Sequence, residues 1–364
     1  MMDQNLFPVV ALIPSLNPDE KLPQTVKGLF AAGFSHVLLI DDGSRQACQP
    51  IFEELALLPG CTVLHHEVNK GKGRALKTGF QYYLENFDQT VFAGVVTADA
   101  DGQHLPEDIY QSALPLLDPK KKYALTLGTR NFDEEQVPFK SRNGNKITTI
   151  VFKLLYGKLI NDTQTGLRGI ANRYLPVCLE LKGERFEYEI NMLIDAARRK
   201  LKMVEVPIQT VYFDNNRETH FHPVKDSIRI YRVMLASFFR FACSGLISFL
   251  VDQGLFALFE KLILSGLLAV YSIPLATLIA RVLSSLLNYS LNRAYVFESK
   301  NTGKEAILRY YILCAVQLVA SAACVTLLHT LTKGNASLLK LLVDTVLFLF
   351  SYRIQQSWVF KQKN

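Results

Sequence analysis

Four long apolar segments in the last third of the chain constrain its fold more than any other feature. The chain has 364 residues, and charged side chains become sparse after about residue 238. Each apolar segment has about 20 residues or more, which is the length an α-helix needs to cross the hydrocarbon core of a bilayer. We therefore predict an all-α domain of four transmembrane helices, at residues 241–259, 267–291, 307–331 and 338–358.

The charge distribution separates this region from the rest of the chain. The formal net charge is +7. Residues 1–237 carry 28 basic and 28 acidic side chains, whereas residues 238–364 carry 12 basic and 5 acidic ones, so the later part holds the whole excess. A basic excess confined to an apolar region favours a membrane protein and argues against nucleic acid as a partner.

The basic residues also predict an orientation, because Lys and Arg accumulate on the cytoplasmic side of membrane helices. One set of helix ends holds only Lys261, Lys333 and Lys340. The opposite set is flanked by Lys225, Arg229, Arg232, Arg240, Arg293, Lys300, Lys304, Arg309, Lys361 and Lys363. The first residues lack the pattern of a signal peptide, and the six cysteines form no CxxC pair. We expect a multi-pass plasma-membrane protein whose first domain and both termini are cytosolic.

Short apolar runs alternate with amphipathic stretches in the first 235 residues. The alternation indicates an α/β domain with a Rossmann-like, mainly parallel sheet, in which ligands bind beyond the carboxyl ends of the strands. The strands predicted from the early runs are residues 8–14, 36–41, 61–65 and 91–97, and the later ones are residues 123–128 and 203–206. The predicted helices are residues 22–32, 72–84, 146–156 and 188–199.

The acidic motif Asp99-Ala-Asp101-Gly102 directly follows the fourth predicted strand. Two carboxylates one residue apart on a turn can hold Mg²⁺ or Mn²⁺, and the metal ion can then bridge phosphate oxygens. A solvated turn has the same short sequence, so the motif alone is weak evidence. Its position at the carboxyl end of a strand, with glycine following, favours a metal site at Asp99 and Asp101.

Two further motifs fall at the same predicted edge of the sheet. Asp41-Asp42-Gly43-Ser44 ends the second strand, either as a simple Asx turn or with an acidic group that binds a base or ribose. The segment 69–74 (NKGKGR) begins a helix with two glycines and three cations. Glycine permits close backbone approach, and a helix N-terminus favours anions, although a basic helix start without a ligand has the same sequence.

Taken together, the motifs of the first domain resemble glycosyltransferase family 2. They are Pro14-Ser15, the segments 41–44 (DDGS), 69–73 (NKGKG), 99–102 (DADG), 128–130 (GTR), 162–168 (DTQTGLR) and 186–189 (FEYE), and the segment 205–212 (EVPIQTVY). The dolichol-phosphate mannose synthases and bacterial polyprenyl-phosphate glycosyltransferases are the most similar members. The resemblance covers about residues 7–230 and implies a GT-A fold, a nucleotide-sugar donor and a divalent metal ion.

The resemblance also implies roles for individual residues. The metal ligands would be Asp99, Asp101 and Gln103. Arg130 and Arg142 would guide the acceptor phosphate, and Asp162 and Gln164 would lie near the transferred sugar. The nucleotide-sugar contacts would come from Pro14, Ser15, Glu20, Asp42, Lys72, Asp99 and Arg217. The run Pro14-Ser-Leu-Asn-Pro-Asp-Glu20 departs from the family, because Leu16 replaces an aromatic residue and Pro18 replaces glutamate, so Asp19 or Glu20 would substitute.

The last third resembles the GtrA-like membrane domains. The matching residues are Arg240-Phe241, the segment 288–297 and the closing segment 358–360, and the ends of helices two and four form a weak repeat. GtrA-like domains are associated with polyprenyl-linked sugars. Asp252, Arg281 and Asp344 lie inside predicted helices. Either Arg281 pairs with an aspartate and stabilises the bundle, or these residues line a route for a lipid-linked phosphate. We divide the chain into a GT-A domain at 1–222, an interfacial amphipathic connector at 223–239 and the membrane domain at 240–364.

The function predicted from these observations is transfer of a sugar from a nucleotide-sugar to polyprenyl phosphate at the cytosolic face of the membrane, for cell-envelope glycoconjugates. A processive polysaccharide synthase is disfavoured, because the only tryptophan, Trp358, does not complete a Gln-x-x-Arg-Trp motif. A lipid-linked sugar transporter with a non-catalytic glycosyltransferase domain is the alternative. The expected partners are the donor, the lipid phosphate, the bilayer and possible further copies of the chain, and the sugar and base stay open.

Overall fold

The computed structural model describes residues 7–132, 139–209, 223–263, 272–299 and 304–361. The chain divides into two compact units, Met1–Met234 and Leu235–Asn364. The first unit is built on one seven-stranded sheet, and the second consists of helices.

The sheet of the first unit has the strand order β3-β2-β1-β4-β6-β5-β7. Four of its six neighbouring pairs are parallel, and only β6 runs antiparallel to its two neighbours. The α/β, mainly parallel fold class is therefore confirmed. The strands are β1 (Val10–Ser15), β2 (Val37–Asp41), β3 (Cys61–His65), β4 (Gly94–Thr97), β5 (Leu125–Arg130), β6 (Arg168–Ala171) and β7 (Met203–Ile208).

Helices cover the sheet because each has one apolar stripe. On the first helix, Leu22, Val26 and Leu29 recur at helical spacing and join one buried cluster with Ala11 and Ile13, which alternate along β1. The fifth helix begins earlier than residue 146, where we predicted its start. The helices of this unit are α1 (Lys21–Ala31), α2 (Gln49–Ala56), α3 (Lys72–Asn86), α4 (Pro106–Ala113), α5 (Phe139–Tyr156), α6 (Leu175–Glu180) and α7 (Glu187–Arg198).

The antiparallel strand β6 determines what lies beside the Asp99 motif. Its pairing with β4 brings Arg168 opposite Thr97, the last residue of β4. The Thr97 hydroxyl donates a hydrogen bond to the carbonyl of Gly166 at 2.8 Å. The segment 162–167, which precedes β6, is therefore held at the carboxyl end of β4.

The second unit contains four helices among its described residues. They are α8 (Pro223–Leu258, which begins in the first unit), α9 (Ser272–Leu291), α10 (Lys304–Thr332) and α11 (Ala336–Ile354). A π-helical turn follows three of them, at Phe259–Ile263, Asn292–Val296 and Gln355–Val359. The structure makes the predicted connector at 223–239 continuous with the first apolar segment, and its position along a membrane surface stays a prediction.

Three described stretches are long and apolar enough to cross a membrane, namely Ser227–Lys261, Ile273–Val296 and Lys304–Thr332. They correspond to the first three predicted spans. The fourth, α11, has 19 residues and includes Lys340, Asp344 and Arg353. It is helical as predicted, and its passage through the membrane stays a prediction.

Candidate active site

Polar side chains collect where the parallel strands β1, β2 and β4 end. Ser15 and Asp41 are the last residues of β1 and β2, and they are paired in register. Asp99 and Asp101 follow β4, which is the other neighbour of β1. Because carboxyl ends of parallel strands meet at one edge, these residues line a single edge of the sheet, as predicted.

Lys72, the first residue of α3, bridges two carboxylates from other parts of the fold. Its Nζ lies 2.6 Å from Asp99 Oδ1 and 3.0 Å from Glu189 Oε1. The exposed side-chain fractions are 17% for Lys72, 30% for Asp99 and 9% for Glu189, so solvent screens the interactions only partly. The sequence motifs predicted Lys72 and Asp99 as site residues but not Glu189, although Glu189 lies in the motif 186–189 that carried the family resemblance.

The pKa values reflect this arrangement. Burial would raise the pKa of Asp99, but the adjacent Lys72, His104 and Arg130 charges together bring it below its ordinary value. Burial would lower the pKa of Lys72, but the Asp99 and Glu189 carboxylates raise it above its ordinary value. For Asp101, burial and the neighbouring Asp99 charge raise the pKa. Asp99 is therefore compensated by a cation, whereas Asp101 experiences repulsion that a further cation would relieve.

The Asp99 carboxylate packs directly on the backbone of Gly166. A Cβ atom at position 166 would overlap Asp99 Oδ2 and lie 2.7 Å from Oδ1. A larger residue at position 166 would therefore force the Asp99 carboxylate to move from its present place. The motif 162–168 contains this glycine, but its spacing did not reveal the contact, which forms only because β6 pairs with β4.

Arg130, at the end of β5, forms a two-pronged ion pair with Asp162. Its Nε donates to Asp162 Oδ2 at 2.6 Å, and its Nη2 donates to Oδ1 at 3.0 Å. The Asp162 side chain is fully buried, and its Oδ1 also accepts the backbone N–H of Gln164 at 3.1 Å. Asp162 thus orients Arg130, while the exposed Gln164 side chain leaves its predicted contact with the sugar available.

Asp42 is buried and holds the glycine-rich segment that precedes α3. Its Oδ1 accepts the N–H of Lys70 at 2.9 Å and lies 2.8 Å from His66 Nδ1, while Oδ2 accepts the N–H of Gly71 at 2.8 Å. Both oxygens are therefore occupied by the protein. A direct contact between Asp42 and a nucleotide stays a prediction. In the structure, Asp42 binds the backbone of the two residues that precede Lys72.

The last residues of β1 are buried and not open to solvent. Pro14 and Ser15 are buried, and the Ser15 hydroxyl has no hydrogen-bond partner among the described residues. Asn17 links the loops after β1 and β2, because its N–H donates to Ser44 Oγ at 2.8 Å and its Oδ1 accepts the N–H of Arg45 at 2.9 Å. Glu20 is exposed just before α1, so its proposed replacement of the family glutamate is sterically open.

The donor set around Asp101 suits a divalent cation that also binds substrate phosphate. Asp101 Oδ1 accepts the N–H of Gln103 at 3.0 Å, which fixes the turn. No cluster of three or more His, Cys, Asp or Glu side chains able to share an ion occurs within the parts of the chain that the structure describes. Mg²⁺ commonly takes one or two carboxylates and completes its shell with water and phosphate oxygens, so Asp101 and Asp99 fit such an ion.

Two of the predicted site residues are the arginines Arg142 and Arg217. Arg142 lies on α5 and is half-buried. Arg217 lies outside the described residues. A third arginine, Arg168, was missed as a site residue. It is 1% exposed, and its Nη1 donates to the carbonyl of Glu189, so it ties β6 to α7 behind the site.

The seven-stranded, mainly parallel sheet defines a GT-A-like fold. The family model for glycosyl transferase family 2 matches residues 10–172, and the model for the GtrA/DPMS transmembrane domain matches residues 240–360. Both predicted resemblances are thereby confirmed. The chain belongs to glycosyltransferase family 2 and carries a GtrA/DPMS transmembrane domain.

Two of the curated relatives are about 30% identical to this chain over the aligned positions. The UDP-N-acetylglucosamine–dolichyl-phosphate N-acetylglucosaminyltransferase of Methanococcus voltae is 30% identical over an alignment of 219 residues, and the alignment covers 56% of this chain and 86% of the relative. The polyprenol monophosphomannose synthase of Mycolicibacterium smegmatis is 29% identical over an alignment of 210 residues, which covers 55% of this chain and 76% of the relative. Among solved structures, glucosyl-3-phosphoglycerate synthase from Mycobacterium tuberculosis matches with 16% identity and a TM-score of 0.46, covering 63% of this chain and 78% of that one.

Proposed function

We propose that this protein transfers a sugar from a nucleotide-sugar, UDP- or GDP-linked, to polyprenyl phosphate at the cytosolic face of the membrane. The observation that carries the proposal is the Asp99–Asp101 pair at the carboxyl edge of the sheet, where Lys72 bridges Asp99 and Glu189. Support comes from two relatives whose names describe sugar transfer to dolichyl phosphate and synthesis of polyprenol monophosphomannose. The membrane helices would keep the enzyme beside such a lipid.

The proposed reaction needs no strong base, because the acceptor phosphate is already a nucleophile. One of its oxygens forms a bond to the anomeric carbon, and the bond from that carbon to the donor diphosphate breaks, with the electron pair leaving on the nucleoside diphosphate. Asp101 and Asp99, with the side chain of Gln103, would hold Mg²⁺ or Mn²⁺. When bound, that ion would neutralise the charge that develops on the leaving diphosphate.

Positively charged side chains of the protein then have to bring two phosphates together. Arg130 is oriented by the buried Asp162 and stands 22% exposed at the end of β5. We propose that Arg130 and Arg142 bind the acceptor phosphate and that Gln164 contacts the transferred sugar. Lys72 and Arg217 are assigned to the donor diphosphate. Pro14, Ser15 and Glu20 would form the wall of the nucleotide pocket, and Asp42 would hold the segment behind it.

An Asp101→Asn variant tests the metal role directly. Membranes containing the full-length variant are supplied with radiolabelled nucleotide-sugar, undecaprenyl phosphate and Mg²⁺. We expect sugar transfer to fall at least about 100-fold, because the substitution replaces a charged metal ligand, the Asp101 carboxylate, by a neutral amide. Asp118→Asn is the matched control, since Asp118 only caps a turn through the N–H groups of Lys120 and Lys121.

The same assay separates the enzyme from the alternative of a non-catalytic binding module in a lipid-sugar transporter. If the wild-type protein binds the nucleotide-sugar yet transfers nothing to any polyprenyl phosphate, the transporter hypothesis is favoured. If the Asp101→Asn variant transfers as fast as the wild type, the proposed metal site is wrong. A screen of UDP- and GDP-sugars with the wild-type protein would identify the donor.

A further inference from the structure

The helical unit contains the same structural motif twice. In the first copy, α8 is followed by α9, which ends in the π-helical turn Asn292–Val296 (π-turn 1). In the second copy, α10 is followed by α11, which ends in the π-helical turn Gln355–Val359 (π-turn 2). The backbone N–H of Phe297 donates to the carbonyl of Asn292 at 2.9 Å, and that of Phe360 donates to the carbonyl of Gln355 at 2.8 Å. The weak sequence repeat therefore corresponds to a repeated backbone conformation.

Equivalent residues of the two copies contact each other. Asn292 Nδ2 donates to Gln355 Oε1 at 3.0 Å, and both side chains are buried. The rings of Phe297 and Phe360 stack with centroids 5.3 Å apart and an interplanar angle of 21°. A residue can touch its own equivalent only beside the axis that relates the two copies. A pseudo-two-fold axis therefore passes between the two π-turns.

An arginine holds each π-turn in the same way. Arg240 Nη1 donates to the backbone carbonyl of Tyr295 at 2.8 Å, and Arg309 Nη1 donates to the carbonyl of Trp358 at 3.2 Å. The two arginines occupy matching positions, because a buried aromatic residue, Phe241 or Tyr310, follows each of them. Each guanidinium also meets a glutamate, but the two glutamates are not equivalent, because Glu298 follows π-turn 1 and lies at 2.7 Å, whereas Glu305 lies one helical turn before Arg309 on α10 at 3.2 Å. The repeat thus extends to the first helix of each pair.

The aromatic residues whose carbonyls these arginines bind are both exposed, and the Arg309 guanidinium also lies 5.9 Å from the centroid of the Trp358 ring. Tyr295 is 67% exposed and Trp358 is 40% exposed, although the next residues, Val296 and Val359, are buried. Exposed tyrosine and tryptophan rings with a polar atom favour the boundary between headgroups and acyl chains. Since the second helix of each pair ends at this same end of the unit, the two copies run in parallel, and their axis follows the membrane normal.

We propose that π-turn 1 and π-turn 2 are matched anchors that place Tyr295 and Trp358 in the headgroup zone of the bilayer at one depth and on one face. The partner of this surface is the lipid interface itself. Arg240 and Arg309 act as positioning residues, each for the aromatic residue whose carbonyl it binds. The inference concerns the membrane unit alone and does not depend on the proposed enzymatic function.

The chain offers a direct test, because Trp358 is its only tryptophan. The full-length protein is reconstituted into phosphatidylcholine vesicles that contain lipids brominated either near the glycerol or near the chain end. We expect shallow bromines to quench Trp358 fluorescence more strongly than deep ones. A Tyr295→Trp/Trp358→Tyr double variant moves the single tryptophan to the equivalent position. The two depths should agree within one helical turn, about 5 Å.

Arginine variants provide a crossed control. Arg309→Gln should change the quenching depth of Trp358, whereas Arg240→Gln should leave that depth unchanged. In the protein with the moved tryptophan, the effects of the two variants should exchange. If the double variant does not fold, the wild-type protein and the two arginine variants still decide the question. Deep quenching, unequal depths, or the same response to both arginine variants would overturn the proposal.

Discussion

At the scale of single residues, Lys72 connects three motifs that are far apart in the sequence. It begins α3, and its ammonium group lies between Asp99 after β4 and Glu189 in α7. Without this cation, two poorly solvated carboxylates would face each other. The residue therefore contributes both to the stability of the first unit and to the position of Asp99.

A Lys72→Met variant tests both contributions, to stability and to the position of Asp99. Removing one partner of a largely buried ion pair should lower the free energy of unfolding by about 3 kcal/mol. Because Asp99 then moves from its place, sugar transfer should fall about 100-fold. Chemical denaturation and the transfer assay measure the two effects.

Lys27→Met is the matched control for that variant. Lys27 also lies 3.0 Å from a carboxylate, Glu54, but both side chains are 57% exposed. An exposed pair contributes about 1 kcal/mol or less, so neither stability nor transfer should change appreciably. Equal effects of the two substitutions would contradict the role assigned to Lys72.

At the scale of secondary-structure elements, the antiparallel strand β6 decides which segment reaches the site. Sequence periodicity predicted β1 to β4, because each is a short apolar run bounded by turn residues. It predicted neither β6 nor its insertion between β4 and β5. The four residues of β6 are too few for a periodic signal, and their position depends on pairing with strands that are distant in the sequence.

Gly166→Ala tests the consequence of that pairing. The added methyl group would overlap the Asp99 carboxylate and displace it, so we expect transfer to fall about 100-fold. Stability should fall by only about 1–3 kcal/mol, the usual cost of overpacking. Unchanged transfer by a folded Gly166→Ala protein would show that the position of Asp99 is not required.

Gly144→Ala provides the comparison, because nothing lies within 4 Å of a Cβ atom at that position in α5. Alanine is favoured over glycine inside a helix by about 1 kcal/mol. This variant should therefore be slightly more stable than the wild type and equally active. The pair of glycine variants thus distinguishes a close contact from a general effect of adding a methyl group.

At the scale of the whole molecule, the net charge indicates orientation rather than affinity for nucleic acid. The neutral first part forms the sheet unit, and the +7 belongs to the helical part, on flanks that anionic lipid headgroups would meet. If all four predicted helices span the membrane, the two ends of the chain lie on the same side. We propose that this side is the cytosol, in the plasma membrane.

Reporter fusions test this topology. A reporter that is active only in the cytosol, fused after Lys363, should be active, and the same reporter inserted after Lys333, between α10 and α11, should be silent. A reporter that is active only outside the cytosol should give the opposite pattern. Activity of the cytosolic reporter at both positions would mean that α11 does not span the membrane.

The sequence by itself determined the fold class, the two-part organisation and most of the residues at the sheet edge. These features depend on local signals, namely the period of apolar residues, the length of apolar segments and short motifs at strand ends. Only the tertiary structure showed that Glu189 shares Lys72 with Asp99, that Gly166 supports Asp99, and that Asn292 meets Gln355. The contacts Lys72–Glu189, Asp99–Gly166 and Asn292–Gln355 each join residues more than 60 positions apart. Strand order and helix packing, rather than any local pattern, bring these residues together.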